Sequence, residues 1–143
     1  MANDTIQQIA PDITLRWLHD NQIALFTLRT LNRDSLAAWF EAIKAIIDQW
    51  SPDRPLFIIL DNNFPGSSFT PALRDYGSRV AMYRPDIELF TAVILPRTLM
   101  SQIVNTFLKT ARRPSGEARI YSTLDEAVSW MQTKIIPEKL TQR

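Results

Sequence analysis

The sequence predicts an α/β protein with a five-stranded, mainly parallel sheet, an N-terminal antiparallel hairpin and four helices. The first observation is a pair of almost wholly apolar runs, 55–62 and 88–96, of the kind found in parallel strands covered on both faces. The second is that apolar residues recur every three or four positions between and after these runs, which indicates amphipathic helices. The third is a pair of shorter apolar runs, 13–20 and 23–30, joined by a short polar link, which predicts the hairpin.

The first helix is predicted from apolar residues at helical spacing and from its end signals. Asn32 is placed to cap the helix, and Leu31 and Leu36 are spaced as a hydrophobic staple around that cap. Ser51-Pro52 ends the helix, because proline disfavours helical geometry in the residue before it. The apolar series consists of Leu36, Phe40, Ile43, Ile47 and Trp50.

The later elements repeat this alternation of strand and helix. Thr70 and Pro71 have the form of an N-cap followed by proline in the first helical position, and a third helix is predicted over 98–113. A short strand at 118–122 leads into Thr123-Leu124-Asp125-Glu126, which has the spacing of a capping box for the last helix.

The whole pattern predicts a single domain over 12–136. The polar ends, 1–11 and 137–143, show no periodicity and are expected to be flexible. A chain of 143 residues that is 45% hydrophobic and 22% charged can form one core of this size.

Composition excludes several classes of chemistry. The chain has no cysteine, which excludes disulfides, thiolate metal sites and a cysteine nucleophile. Its one histidine, His19, is predicted in the hairpin turn at the opposite edge of the sheet from Ser67 and Ser68, which argues against a hydrolytic triad. With three glycines and no nucleotide-binding glycine motif, no cofactor or metal is predicted, and the chain is expected not to be an enzyme.

Charge gives a second set of expectations. The formal net charge of +1 gives no reason to expect a nucleic-acid partner. No 18-residue apolar run or signal pattern is present, so no integral membrane segment and a cytoplasmic location are expected. Residues 1–71 hold five basic and eight acidic side chains, and residues 72–143 hold eleven and seven. The basic excess has two interpretations, solvated helix faces or a docking face for an acidic partner.

The segment from Asp61 to Pro71 is the best candidate for a site. It leaves a predicted central strand and enters a helix, where open α/β sheets usually place their ligands. Asp61, with Ser67, Ser68 and Thr70 near the helix start, is suited to binding an anion or accepting a phosphoryl group. The alternative is an ordinary loop in which Thr70 only caps the helix.

The order of elements resembles the SpoIIAA-like fold, shared by STAS domains (anti-sigma-factor antagonists) and the lipid-binding part of Sec14-type proteins. The resemblance covers about residues 12–136 and is carried by PLFIILDN before the serine-rich loop and by RIYSTLDEAVSWM near the end. The resemblance implies that a partner kinase phosphorylates one serine. By position, this serine would be Ser67 or Ser68, and Asp61 would be the nearby aspartate that supports the site. The family's Asp-Ser-Ser/Thr-Gly signature is absent here, since Gly66 precedes the serines.

The leading hypothesis is a non-catalytic STAS-like module that binds a protein partner, such as a regulatory kinase or an anti-sigma-type factor, through 62–84. Four tryptophans and seven phenylalanines leave open a carrier of a small apolar or lipid-like ligand, although most lie on the apolar stripes of the core. A third hypothesis is an enzyme for a phosphorylated metabolite that uses Asp61 with Arg74 or Arg97. A weak homodimer through an edge strand or an apolar helix patch also stays open.

Overall fold

The computed structural model describes residues 6–19, 21–30, 32–64, 70–98 and 116–141, the last six of them by backbone alone. These residues form an α/β structure in which one six-stranded mixed sheet is packed between helices. The strands are β1 (Ile6–Ala10), β2 (Ile13–Leu18), β3 (Ile23–Leu28), β4 (Leu56–Asp61), β5 (Leu89–Ile94) and β6 (Gly116–Tyr121). The described helices are α1 (Arg33–Gln49), α2 (Pro71–Tyr83) and α3 (Leu124–Thr141).

The strands lie in the sheet in the order in which they occur in the chain. Strands β1, β2 and β3 pair antiparallel, and β3, β4, β5 and β6 pair parallel. Helices α1 and α2 pack in one hydrophobic cluster and α3 packs in the other. We call the two sides of the sheet the α1/α2 face and the α3 face.

Strand β4 is buried on both of these faces, as its apolar run predicts. Ile58 and Leu60 belong to the cluster on the α1/α2 face, whereas Phe57 and Ile59 belong to the cluster on the α3 face. All four side chains are almost completely buried. The predicted covered, parallel, central strand at 55–62 is therefore confirmed.

Local capping chemistry starts the first two helices where the sequence predicts. The Asn32 side chain accepts a hydrogen bond from the Ser35 amide at 2.8 Å, and Thr70 Oγ1 accepts one from the Leu73 amide at 3.1 Å. Pro71 occupies the first turn of α2, where a missing N–H costs nothing. Leu31 of the expected staple lies outside the described residues.

The number of strands and the N-terminal boundary of the sheet differ from the prediction. The sheet has six strands rather than five, and Ile6–Ala10, within the end expected to be flexible, pairs with β2. An edge strand packs few side chains into the core, here Ile9 and Ala10, so it leaves almost no periodic signal in the sequence.

The C-terminal boundary also differs from the prediction. Helix α3 continues through Pro137 to Thr141, although 137–143 was expected to be flexible. Proline removes one helical hydrogen bond, but its fixed φ is compatible with a helix. The helix predicted over 98–113 lies, beyond Thr98, outside the described residues. None of the helices in the described ranges is long and apolar enough to cross a bilayer.

Gly116 and Gly77 provide a matched pair of predictions about stability. Gly116 begins β6 at φ +104°, and a Cβ there would lie 1.9 Å from the Leu89 carbonyl oxygen, whereas a Cβ at Gly77 in α2 meets no described atom within 4 Å. We expect Gly116→Ala to lower the free energy of unfolding by more than about 2 kcal/mol. We expect Gly77→Ala to raise it by about 0.5–1 kcal/mol, because alanine favours a helix.

Urea unfolding monitored by circular dichroism measures both changes. Equal effects of the two substitutions would contradict the backbone geometry described for Gly116.

Candidate functional site

The carboxyl ends of β4, β5 and β6 are joined by hydrogen bonds into one continuous edge. The Asn62 amide donates to the Ile94 carbonyl at 2.9 Å, and the Leu95 amide donates to the Tyr121 carbonyl at 3.0 Å. The Asn63 side chain donates from Nδ2 to the Ser122 carbonyl at 3.3 Å. The start of the predicted site segment therefore lies at the edge of the sheet where α/β proteins commonly bind ligands.

Asp61 shapes the turn that leaves β4. Its Oδ1 atom accepts a hydrogen bond from the Asn63 amide at 3.0 Å, and the Asn62 carbonyl accepts one from the Phe64 amide at 3.0 Å. These two contacts fix the main chain directly after the strand. Ser67 and Ser68 lie outside the described residues, so their position relative to Asp61 stays a prediction.

The start of α2 uses most of its own hydrogen-bonding capacity. Pro71 has no N–H, the Leu73 amide is bound by the Thr70 side chain, and the Arg74 amide donates to the Thr70 carbonyl at 3.1 Å. Among the described atoms, the Ala72 N–H is the one donor in the first turn of α2 for which no hydrogen-bond acceptor is found. Thr70 is thus a helix cap, and the helix end offers few donors to an anion.

The residues of the enzyme hypothesis are not joined in the described part of the chain. Arg74 lies with Nε 3.9 Å from Asp75 Oδ1, and both side chains are exposed. No ion pair within 4 Å links Asp61 to Arg74 or Arg97 across the described ranges.

Asn62 is a feature that the sequence analysis missed. Its side chain is 0% exposed, and neither carboxamide atom has a hydrogen-bond partner in the described structure. Because side chains alternate along an extended chain, Asn62 lies on the α1/α2 face after Ile58 and Leu60. The sequence does contain a signal for this burial, because Asn62 follows Ile58 and Leu60 at every second position, the spacing of side chains on one face of a strand. A buried amide without partners carries a desolvation cost.

The predicted capping box at the start of α3 is present with one difference. The Glu126 amide donates to Thr123 Oγ1 at 3.2 Å, as predicted. The Glu126 carboxylate reaches one residue further back than the motif requires and accepts from the Ser122 amide at 3.3 Å and its hydroxyl at 3.1 Å. It also accepts from the Thr123 hydroxyl at 3.2 Å. These bonds, led by the Ser122 hydroxyl, lower the pKa of Glu126.

The solvent side of α2 carries an exposed stripe with mixed chemistry. Met82 is 56% exposed, whereas Leu73 and Val80 anchor the opposite side of the helix in the core. The Arg79 guanidinium lies 5.1 Å from the centre of the Tyr76 ring. We call this surface the α2 stripe, and its members are Arg74, Asp75, Ser78, Arg79 and Met82.

The aromatic residues divide between the core and two surface clusters. Trp39 and Trp130 are buried, and Trp17 and Trp50 are half-buried and stacked, with ring centres 6.0 Å apart. An open groove of about 490 Å³ runs beside α3 and is lined by Tyr121, Asp125, Glu126, Ser129, Trp130 and Thr133. The groove is a surface feature, so a ligand in it would keep part of its area in water.

His19 lies away from the carboxyl edge, as predicted. It is exposed in the turn between β2 and β3 with φ 53°, and its Nε2 atom is 3.0 Å from the Gln132 side chain. Within the described residues, no group of three or more histidine, aspartate or glutamate side chains is arranged to hold a metal ion.

Comparison with known proteins adds no relative. No protein-family model matches the chain, and neither a curated protein nor a solved structure matches it. Functional inference for this chain therefore depends on its own geometry, on the α2 stripe and on the carboxyl edge.

Replacing Asn62 tests whether its amide is truly without a partner. Asn62→Leu keeps the side-chain shape approximately and removes two unpaired polar atoms, so we expect the free energy of unfolding to rise by about 1 kcal/mol. Asn63→Leu, at an exposed position, is the control and should give no gain. Urea unfolding measures both. A loss of stability for Asn62→Leu would show that the amide is satisfied.

The hydrogen bonds to Glu126 predict a pH dependence. Because they hold the pKa of Glu126 below its ordinary value, their stabilisation is complete above the ordinary pKa and is lost as pH falls through the lowered one. We expect Glu126→Gln to be less stable than wild type at neutral pH and equally stable at strongly acidic pH. Thermal unfolding at a series of pH values measures this difference.

Asp125→Asn is the control, since this neighbouring carboxylate takes no part in the hydrogen bonds to Ser122 and Thr123. A constant difference between wild type and Glu126→Gln over the whole pH range would contradict the assignment.

Proposed function

We propose that the chain is a non-catalytic, cytoplasmic STAS-like module that binds a protein partner through 62–84. The observation that carries this proposal is the α2 stripe, where exposed Met82 lies on the same side of one helix as Arg74 and Arg79. Methionine and arginine are both enriched in protein interfaces, whereas lysine and glutamate are depleted there. The rest of α2 is fixed against the core by Leu73 and Val80, so the stripe is presented on a rigid element.

The chemistry of the stripe favours a partner with an acidic surface beside an apolar pocket. Two guanidinium groups are opposed by one carboxylate, that of Asp75, within the stripe. The Arg79 guanidinium lies 5.1 Å from the centre of the Tyr76 ring. Because this contact already restricts the Arg79 side chain, binding a partner would cost less conformational entropy. Met82 has a flexible, polarisable side chain that adapts to an irregular pocket.

The resemblance to STAS regulators supports a particular kind of partner and of control. It implies a regulatory kinase or an anti-sigma-type factor, with phosphorylation at Ser67 or Ser68. A phosphate in the segment that precedes α2 would add nearly two negative charges close in sequence to Arg74. Those charges would compete with an acidic partner for the arginines, so phosphorylation is expected to weaken docking.

The two other hypotheses have less support from the described residues. A carrier of an apolar ligand would use the groove beside α3, where Tyr121 and Trp130 supply apolar surface but the site is open to solvent. An enzyme using Asp61 would need a partner group, and Asp61 instead binds the Asn63 amide in the turn after β4.

Site-specific cross-linking tests the proposed docking surface. A photo-reactive residue is placed at Ser78, in the middle of the α2 stripe, and at Asn21 in the β2–β3 turn as a control, and captured proteins are identified by mass spectrometry. We expect the same protein to be captured from Ser78 in repeated experiments and not from Asn21.

The purified partner is then titrated against variants of the chain. We expect Met82→Lys and Arg79→Glu each to weaken binding by roughly tenfold or more, since both residues belong to the α2 stripe and each substitution introduces or reverses a charge there. Ile6→Lys, which changes a similarly exposed apolar residue in β1, outside the α2 stripe, should bind like wild type. Unchanged affinity of both stripe variants would refute the proposal.

A further inference from the structure

Strand β1 forms one outer edge of the sheet and has few of the features that protect an edge. It pairs with β2 on one side, and no described strand lies on its other side. Its sequence, IQQIA, has no charge and no proline. Natural edge strands usually carry such residues because unpaired main-chain groups otherwise attract another strand.

The opposite edge, β6, is protected in the usual way. Glu117 and Arg119 are paired there at 2.7 Å, and Lys134 lies 3.7 Å from Glu117. A strand approaching β6 would have to desolvate these charges, whereas β1 presents only amide and aliphatic groups. The two edges of this sheet therefore differ in their readiness to accept a strand.

Ile6 adds apolar surface at the edge of β1. It is 61% exposed and, with Met82, is one of two large apolar side chains exposed among the described residues. The bulge between Gln8 and Ala10 bends the far end of the strand, so the regular part of the edge runs from Ile6 to Gln8.

Beside β1, on the α1/α2 face, lies a strip of half-buried apolar side chains. Helix α1 contacts β1, and residues of α1 at helical spacing lie on the side away from α2. We call this surface the α1 strip, and its members are Ile9, Trp17, Ala38, Ala42, Ile46 and Trp50. The strip is continuous with the β1 edge and extends the apolar area that a strand partner would cover.

We propose that β1 and the α1 strip form the interface of a homodimer with two-fold symmetry. Two β1 strands pair antiparallel and extend the two sheets into one, and the α1 strips of the two protomers meet on the same face. The unpaired main-chain donors and acceptors of β1 call for a strand, and the strand we propose is the β1 of a second copy. Two identical IQQIA strands also approach without like-charge repulsion.

The size of this interface predicts a weak dimer. The five residues of β1 and the five further members of the α1 strip (Ile9 belongs to both) are fewer than the roughly 20–30 residues per side of a standard stable interface. The expected dissociation constant is therefore on the order of micromolar or weaker. The interface is separate from the α2 stripe, so the dimer does not depend on the proposed function.

Sedimentation velocity of the full chain from micromolar to millimolar concentration tests the proposal. We expect the wild type to shift from the 16.5 kDa monomer to a species of twice that mass as concentration rises. Ile6→Lys and Ala42→Glu should each weaken the dimer by roughly tenfold or more, since they place charges in the edge and in the strip. Met82→Lys, on the other exposed apolar residue, should dimerise like wild type.

Hydrogen exchange locates the contact. The main-chain amides of Ile6–Ala10 should exchange more slowly at high than at low concentration, and Ile6→Lys should remove that difference without changing the thermal midpoint measured at low concentration, where both chains are monomers. A chain that remains monomeric at millimolar concentration would overturn the proposal. A dimer that Ile6→Lys leaves intact, or protection of β1 amides only when a different protein is added, would overturn it equally.

Discussion

Strand β4 is buried on both faces, and the other elements are arranged around that double burial. Phe57, Ile58, Ile59 and Leu60 each lose nearly all contact with water, a gain of about 1.5–3 kcal/mol per side chain before the entropy of folding is subtracted. A strand of this kind is stable only when helices cover both sides. The α1/α2 pair meets that requirement on one face and α3 on the other, so removing either layer would expose half of β4.

The double burial of β4 also explains why the sequence predicts the position of the carboxyl edge but not which side chains are buried there. The apolar run, the caps Asn32 and Thr70 and the capping-box threonine are local signals, and each acts where the sequence indicates. The side chain of Asn62 is different, because its complete burial depends on tertiary packing and not on a local pattern. The sequence analysis instead selected the neighbouring Asp61 as a site residue, and in the structure Asp61 accepts a hydrogen bond from the Asn63 amide in the turn after β4.

The missed strand β1 shows a second limit of sequence patterns. A central strand requires several apolar residues in sequence, whereas an edge strand is held by main-chain pairing with one neighbour and needs few. Ile9 and Ala10 reach the core, while Gln7 and Gln8 face water, so the segment resembles a polar tail in composition. The pairing with β2 depends on main-chain groups that every residue has, and it therefore leaves no mark on the sequence.

Two large apolar side chains are exposed among the described residues, and the surfaces around them differ. Ile6, in β1, is 61% exposed, and Met82, in α2, is 56% exposed. Ile6 lies on an edge that offers main-chain hydrogen bonds, which suits an identical strand. Met82 lies on a helix whose main-chain hydrogen bonds are made within α2, so the proposed docking there would depend on side-chain shape and charge. Because the two surfaces offer different groups, the proposed dimer and the proposed docking do not compete for the same surface.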